Sequence, residues 1–207
     1  VPKRGESLAD LFPAVAAQWH PTKNGDLTPW DVTRASNKKY WWKCDIAADH
    51  EWEAIVNNRI SKRSGCPMCA GRLASVTNSL ESLFPELAAE WHPEKNDVLP
   101  NQVTSTSHKK IWWKCPKGSD HEWLSECRTR TGSGHGGSGY GCPFCDGKRT
   151  SVTNSLQSLF PNISAEWHPT KNGDIVPSDV VAGSNKKVWW LCGKGSDHQW
   201  STRPNKR

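Results

Sequence analysis

The chain has 207 residues, a formal charge of +6 and 13 tryptophans. No stretch approaches the apolar run that a membrane helix needs, so membrane insertion is not expected, and no signal peptide is visible. The mild positive balance, 27 Lys and Arg against 21 Asp and Glu, is compatible with a polyanionic partner without demanding one.

Self-similarity sets the domain count. Trp19, Trp91 and Trp167 sit in matching contexts about seventy-odd residues apart, and so do Cys44, Cys115 and Cys192. Three modules are expected, 1–74, 75–149 and a partial 150–207. Modules of that size bury little apolar surface, so each needs a staple.

Each module opens alike. Ser7 is placed to cap a short helix with Leu8, Leu11 and Phe12 on one face. Ser79-Leu80 and Ser155-Leu156 begin the second and third copies. Pro13, Pro85 and Pro161 suit the first turn of a second short helix, expected over 87–91 in the second copy and stopped by Pro93. The tryptophan ending that helix is a candidate core residue. A turn follows, with Asn24-Gly25 and Asn172-Gly173 supplying a left-handed residue and Asn96-Asp97 departing from it. Residues 28–32 read as one helical turn or a tight bend.

Lys38-Lys39-Tyr40-Trp41-Trp42-Lys43-Cys44 then reads as a strand, with residues 50–56 as its return. Side chains alternate along a strand, so Trp41 and Trp42 must face opposite ways, one inward. The segment returns at 109–115 and 186–192. After it the copies diverge: a short basic stretch at 57–64, a longer Gly/Ser loop at 128–140. The joins at 73–77 and 150–153 read as short linkers.

Zinc takes four thiolate and imidazole donors in a tetrahedron. Cys44, His50, Cys66 and Cys69 supply one such set, and Cys115, His121, Cys142 and Cys145 a second. Gly65-Cys66-Pro67-Met68-Cys69-Ala70-Gly71 and its counterpart at 141–147 carry a knuckle pattern, with glycine permitting the turn. A histidine at a fixed place in every copy has no use in a disulfide framework, which favours zinc over redox dithiols or unmetallated cysteines. The cofactor expected is Zn²⁺, in two complete sites. The third copy offers only Cys192 and His198. Either the natural chain continues past Arg207 or something else supports this half-module; continuation is the expectation. Cys127 is left over, as a half-buried strand cysteine. His20, His92 and His168 each follow a tryptophan and precede a proline, and a helix-end hydrogen bond suits them better than ligation.

Taken together, Ser-Leu-x-x-x-Phe-Pro, Glu-Trp-His-Pro-x-Lys-Asn, Lys-Lys-x-Trp-Trp-x-Cys, His-Glu-Trp and Gly-Cys-Pro-x-Cys-x-Gly resemble the tandem zinc-ribbon and treble-clef repeat family. The resemblance covers nearly the whole chain. It implies small α+β zinc-stabilised modules in tandem, built of short helices, a β-hairpin and a Cys-Pro-x-Cys knuckle, and a presumed nucleic-acid partner. The Cys-x5-His interval, with Asp49, Asp120 and Asp197 before the histidine, is longer than the family's usual turn.

Two functions remain open on the residues. One is nucleic-acid binding, DNA or RNA. Its contact candidates are Lys38, Lys39, Lys43, Lys109, Lys110, Lys114, Lys186 and Lys187 around the Trp-Trp strands, with Arg59, Lys62, Arg63, Arg72, Arg128, Arg130, Lys148 and Arg149 around the knuckles. The other is a structural or scaffold role in a larger protein or ribonucleoprotein assembly, using the same faces. Catalysis is not expected, since a four-ligand zinc leaves no open position and His50-Glu51 with Pro67 inside the cysteine pair misses the zinc-deaminase pattern. No small-molecule substrate is implied. Closed thiolate sites suit a reducing, intracellular compartment.

Overall fold

The computed structural model describes residues 2–133 and 139–207; the Gly/Ser loop expected after the second hairpin falls partly on 134–138, outside the described residues. The chain divides into two compact units, Val1–Ala89 with Asp97–His108, and Glu90–Asn96 with Lys109–Arg207.

In the first unit Ser7 caps α1 (Leu8–Leu11). Its Oγ accepts the Asp10 N–H at 3.1 Å, and Asp10 accepts the Ser7 N–H at 3.2 Å, a reciprocal cap. Four residues cannot hold a helix unaided. Packing does it: Leu8 is fully buried, and its N–H donates to Val32 O at 2.7 Å. α2 (Pro13–Ala16) follows with Pro13 at its first position, where the missing N–H has no partner to lose.

β1 (Lys39–Lys43) and β2 (Glu51–Ile55) form an antiparallel hairpin with Trp42 opposite Trp52. The alternation is as the sequence requires. Trp42 is fully buried, while Trp41 turns to the other face and stays half-buried. Trp19 bridges to Trp42, its ring edge-on at 5.4 Å between centroids. The core around them holds Leu8, Val32, Trp52, Val56 and Met68 beside Cys44 and Cys66. Val56 does not extend the strand as expected. It opens a helix, α3 (Val56–Ser61), because its buried side chain packs inward from there. Residues 28–32 form a bend, closed by Asp31 accepting the Thr28 N–H at 3.0 Å. The unit also holds α4 (Leu80–Leu83), capped by Ser79, and α5 (Pro85–Ala88).

The second unit contains β3 (Lys110–Lys114), β4 (Glu122–Glu126) and α6 (Cys127–Thr131), then α7 (Leu156–Leu159), α8 (Pro161–Ser164), β5 (Val188–Leu191) and β6 (Gln199–Thr202). Trp91 and Trp167 bridge to Trp113 and Trp190 at 5.7 and 5.6 Å. The helix expected over 87–91 therefore ends at Ala88, because Trp91 is drawn into this bridge. Cys127 is not a half-buried strand residue. It is fully buried at the start of α6, in the place Val56 takes in the first repeat.

The turn asparagines act as a third strand. Asn24 Nδ2 donates to Trp41 O at 2.9 Å, and its Oδ1 accepts the Trp41 N–H at 2.8 Å. Asn96 does the same for Trp112 and Asn172 for Trp189. Gly25 and Gly173 follow in the left-handed region, at φ 62° and 61°. Asp97 stands in place of glycine in the second copy, yet the amide latch is kept. No helix among the described residues is long and apolar enough to cross a membrane.

Candidate metal centre

The hairpin tip places two donors. Cys44 leaves β1 and its N–H donates to His50 O at 2.9 Å, closing the tip so that both side chains face one point. Cys115 and His121 repeat this at 3.0 Å. The knuckle brings the other two. Ala70 N–H donates to Cys66 O and Gly71 N–H to Met68 O, and Gly71 lies at φ 67°. Gly147 lies at φ 65° in the second knuckle. Only these trailing glycines need left-handed backbone; Gly65 and Gly141 do not.

Cys44, His50, Cys66 and Cys69 present ligand atoms within 4.8 Å of one another, as do Cys115, His121, Cys142 and Cys145. Cys44 and Cys69 sulfurs are 3.7 Å apart, and His50 Nδ1 lies 3.6 and 3.4 Å from Cys66 and Cys69. In the second set the corresponding distances are all 3.7 Å. Zn–S bonds of about 2.3 Å and a Zn–N bond of about 2.0 Å at tetrahedral angles put sulfurs about 3.8 Å apart, and sulfur and nitrogen about 3.5 Å apart. Both sets fit that ion. The Cys69 residue is exposed, yet desolvation of its thiol and then its contacts with Cys44 and Cys66 push its pKa up to about 12. Cys145 is raised to about 12 in the same way. Three crowded sulfurs resist ionising together unless a cation sits among them.

The histidine is held from behind by the next repeat. His50 Nε2 meets Ser75 Oγ at 3.1 Å and Thr77 Oγ1 at 2.9 Å; His121 Nε2 meets Ser151 and Thr153 at 3.1 and 2.8 Å. Those hydroxyls leave Nδ1 for the metal. Asp49 accepts the Val76 N–H, and Asn78 ties Ser75 N–H to Met68 O and Leu73 O. The joins read as linkers are thus part of the site. The verbatim repeat Ser-Val-Thr-Asn-Ser at 75–79 and 151–155 is the signal that marks them.

These four-donor sets on repeated hairpins coincide with a family description. The family described as "Probable Treble clef zinc finger domain" matches residues 15–72, 87–148 and 163–207. The chain belongs to that family. No curated protein matches it at a significant level. The architecture is a tandem series of small treble-clef modules with two Cys3His clusters that could bind zinc and an incomplete third site. In the third repeat Cys192 N–H still donates to His198 O at 3.1 Å, so the tip is shaped the same way. The His198 side chain, however, is 54% exposed.

The contact candidates separate into three groups. Lys38, Lys39, Lys62, Arg63, Arg72, Lys109, Lys110, Arg149, Lys186 and Lys187 are exposed. Lys43, Lys114, Arg128 and Lys148 are ion-paired, to Glu51, Glu122, Glu126 and Asp146. Arg59 and Arg130 correct the expectation: both are buried and belong to the core. The Arg59 guanidinium lies over Trp42 and Trp52 at 4.7 and 5.1 Å, and Arg130 lies 5.0 Å from both Trp113 and Trp123. Their Nη1 groups donate to Ser64 O and Tyr140 O, just before each knuckle. Arg207 takes the same place over Trp190 and Trp200. An arginine seven residues after the β-strand tryptophan in all three copies is the signal that distinguishes these from surface charges.

His20 is not a ligand. Its Nδ1 accepts the N–H groups of Thr22 and Lys23 at 3.2 and 3.1 Å, so Nε2 carries the proton and faces Glu51 Oε1 at 3.0 Å. Lys23 and Lys43 join the same carboxylate. Hydrogen bonds from Lys23 first, then from His20 and Lys43, lower the Glu51 pKa to about 2. Glu122 is lowered to about 2 chiefly by Lys95 and Lys114. In the third repeat His168 meets Gln199 instead, at 3.2 Å, and Leu191 stands where Lys43 and Lys114 do.

Proposed function

We propose that this protein is a non-catalytic nucleic-acid-binding array. The observation that carries the reading is the outward tryptophan of each hairpin. Trp41, Trp112 and Trp189 are all partly open to solvent, with Lys23, Lys95 and Lys171 amines 4.4, 4.9 and 4.4 Å from the ring centres. Each lies on a strand introduced by exposed lysines. An aromatic face offers a base a stacking platform worth about 1–3 kcal/mol, and lysines beside it meet phosphates. The third repeat is the strongest candidate. Its Trp189 is 38% exposed, and Gln199 leaves Lys171 without a carboxylate partner among the described residues. Four protein donors per zinc leave no position for substrate, which supports binding rather than catalysis. Thiolate ligands would suit a reducing compartment.

A second reading, a scaffold within a larger assembly, is favoured by Trp30, Ile46, Val76 and Val152, exposed by 61–69%. Shift assays with single-stranded and duplex DNA and RNA across a salt series separate the two. Binding that weakens steeply with salt, and that weakens further in Lys38→Glu/Lys39→Glu and in Trp189→Ala, supports the first reading. No binding of any probe at low salt rejects it.

A further inference from the structure

Arg59 and Arg130 in the core, and the more exposed Arg207 over the third tryptophan pair, are alike in position and differ in one partner. Arg130 Nη2 donates to the Glu90 carboxylate, and Arg207 is ion-paired with that of Glu166. At the matching place in the first repeat stands Gln18, and Arg59 Nη2 bonds its amide oxygen. Arg59 is 5% exposed, and no carboxylate pairs with it among the described residues. A buried cation without a counter-charge is strongly disfavoured. Arg59 reaches the first centre through its bond to the Ser64 carbonyl, two residues before Cys66. Burial lowers its pKa, and the charges of the Cys66 and Cys44 sulfurs oppose that lowering.

Three thiolates, a neutral imidazole and Zn²⁺ carry a net charge of minus one. We propose that Arg59 is the counter-charge of the first zinc centre, and that Glu90 denies the second centre the same support by neutralising Arg130. The side chain at positions 18 and 90 then sets how firmly each module retains its metal. The first centre keeps zinc more tenaciously than the second, through one amide-for-carboxylate difference outside the ligand set. Arg59 also holds the Ser64 carbonyl, so the same group orients the knuckle and balances its charge.

The test exchanges that difference in the full chain. Gln18→Glu and Glu90→Gln each install a residue that this chain already tolerates at the equivalent place, so both variants are expected to fold. Tryptophan fluorescence checks this. Zinc release to a chromogenic chelator is followed at neutral pH, and alkylation of the freed cysteines with peptide mapping assigns each ion to Cys66/Cys69 or Cys142/Cys145. Gln18→Glu is expected to weaken zinc at the first centre, and Glu90→Gln to strengthen it at the second. Each change should be on the order of tenfold, the reach of a charge pair at an effective dielectric near 20. Gln157→Glu, at an exposed position, should move neither. Swaps that leave both centres unchanged, or that shift them in the same direction, overturn the proposal.

Discussion

The first two repeats and the third share a hairpin, a cross-strand tryptophan pair and an arginine laid across it, and among the described residues the first two also carry a knuckle. The Cys–His tip keeps its backbone bond in all three, at 2.9, 3.0 and 3.1 Å. What does change is burial: His50 and His121 are enclosed, while His198 is open. The hairpin and its aromatic core organise the ligands, and the knuckle together with the following repeat's hydroxyls encloses them.

The largest effect that could break this comparison comes from removing metal. Structural zinc in small modules contributes about 10–16 kcal/mol of apparent binding free energy. Chelation should unfold the first two repeats and leave the Trp167–Trp190–Arg207 core of the third in place. Circular dichroism with proteolysis reads this out, and an unchanged spectrum would refute it.

A smaller effect sharpens the role of the joins. Thr77→Val keeps the shape but takes a hydroxyl from His50 Nε2. Loss of such a ligand-orienting partner costs roughly 10–100-fold in metal affinity, so zinc competition should show the first centre weakened and the second unaltered. Equal retention at both centres would mean that Ser75 alone suffices.

The smallest effect concerns the carboxylate that the third repeat lacks. Glu51 has its pKa depressed from about 4.5 to about 2. A depressed folded-state pKa adds stability above the unfolded value, and that contribution is lost as pH falls from about 4.5 towards 2. Glu51→Gln should therefore lower stability at neutral pH, where zinc stays bound and Glu51 is ionised. Urea titrations of the two zinc-loaded proteins at pH 7 measure it. The same exchange at Gln199, reversed to Glu, should introduce the pH dependence into the third repeat.

Much of the site was legible because its logic is local. A Cys–His tip and a Cys-Pro-x-Cys turn are short, covalently constrained pieces, and zinc permits few arrangements of four such donors. Caps at Ser7, Ser79 and Ser155 and the alternation of Trp41 with Trp42 follow from the same short-range rules. Arg59 and Arg130 were not legible in this way. An arginine after a strand looks like any surface cation until two indole rings across the hairpin are found beneath it.

The ligand set, the threefold period and the short helices were written in neighbouring residues, since each depends on contacts a few positions apart. Which cations became core, which hydroxyls came to hold the ligand histidines, and which of the two core arginines meets no carboxylate among the described residues were decided only by tertiary packing. Those outcomes depend on residues some 25 to 41 positions apart meeting at one point, and nothing in local spacing specifies that meeting.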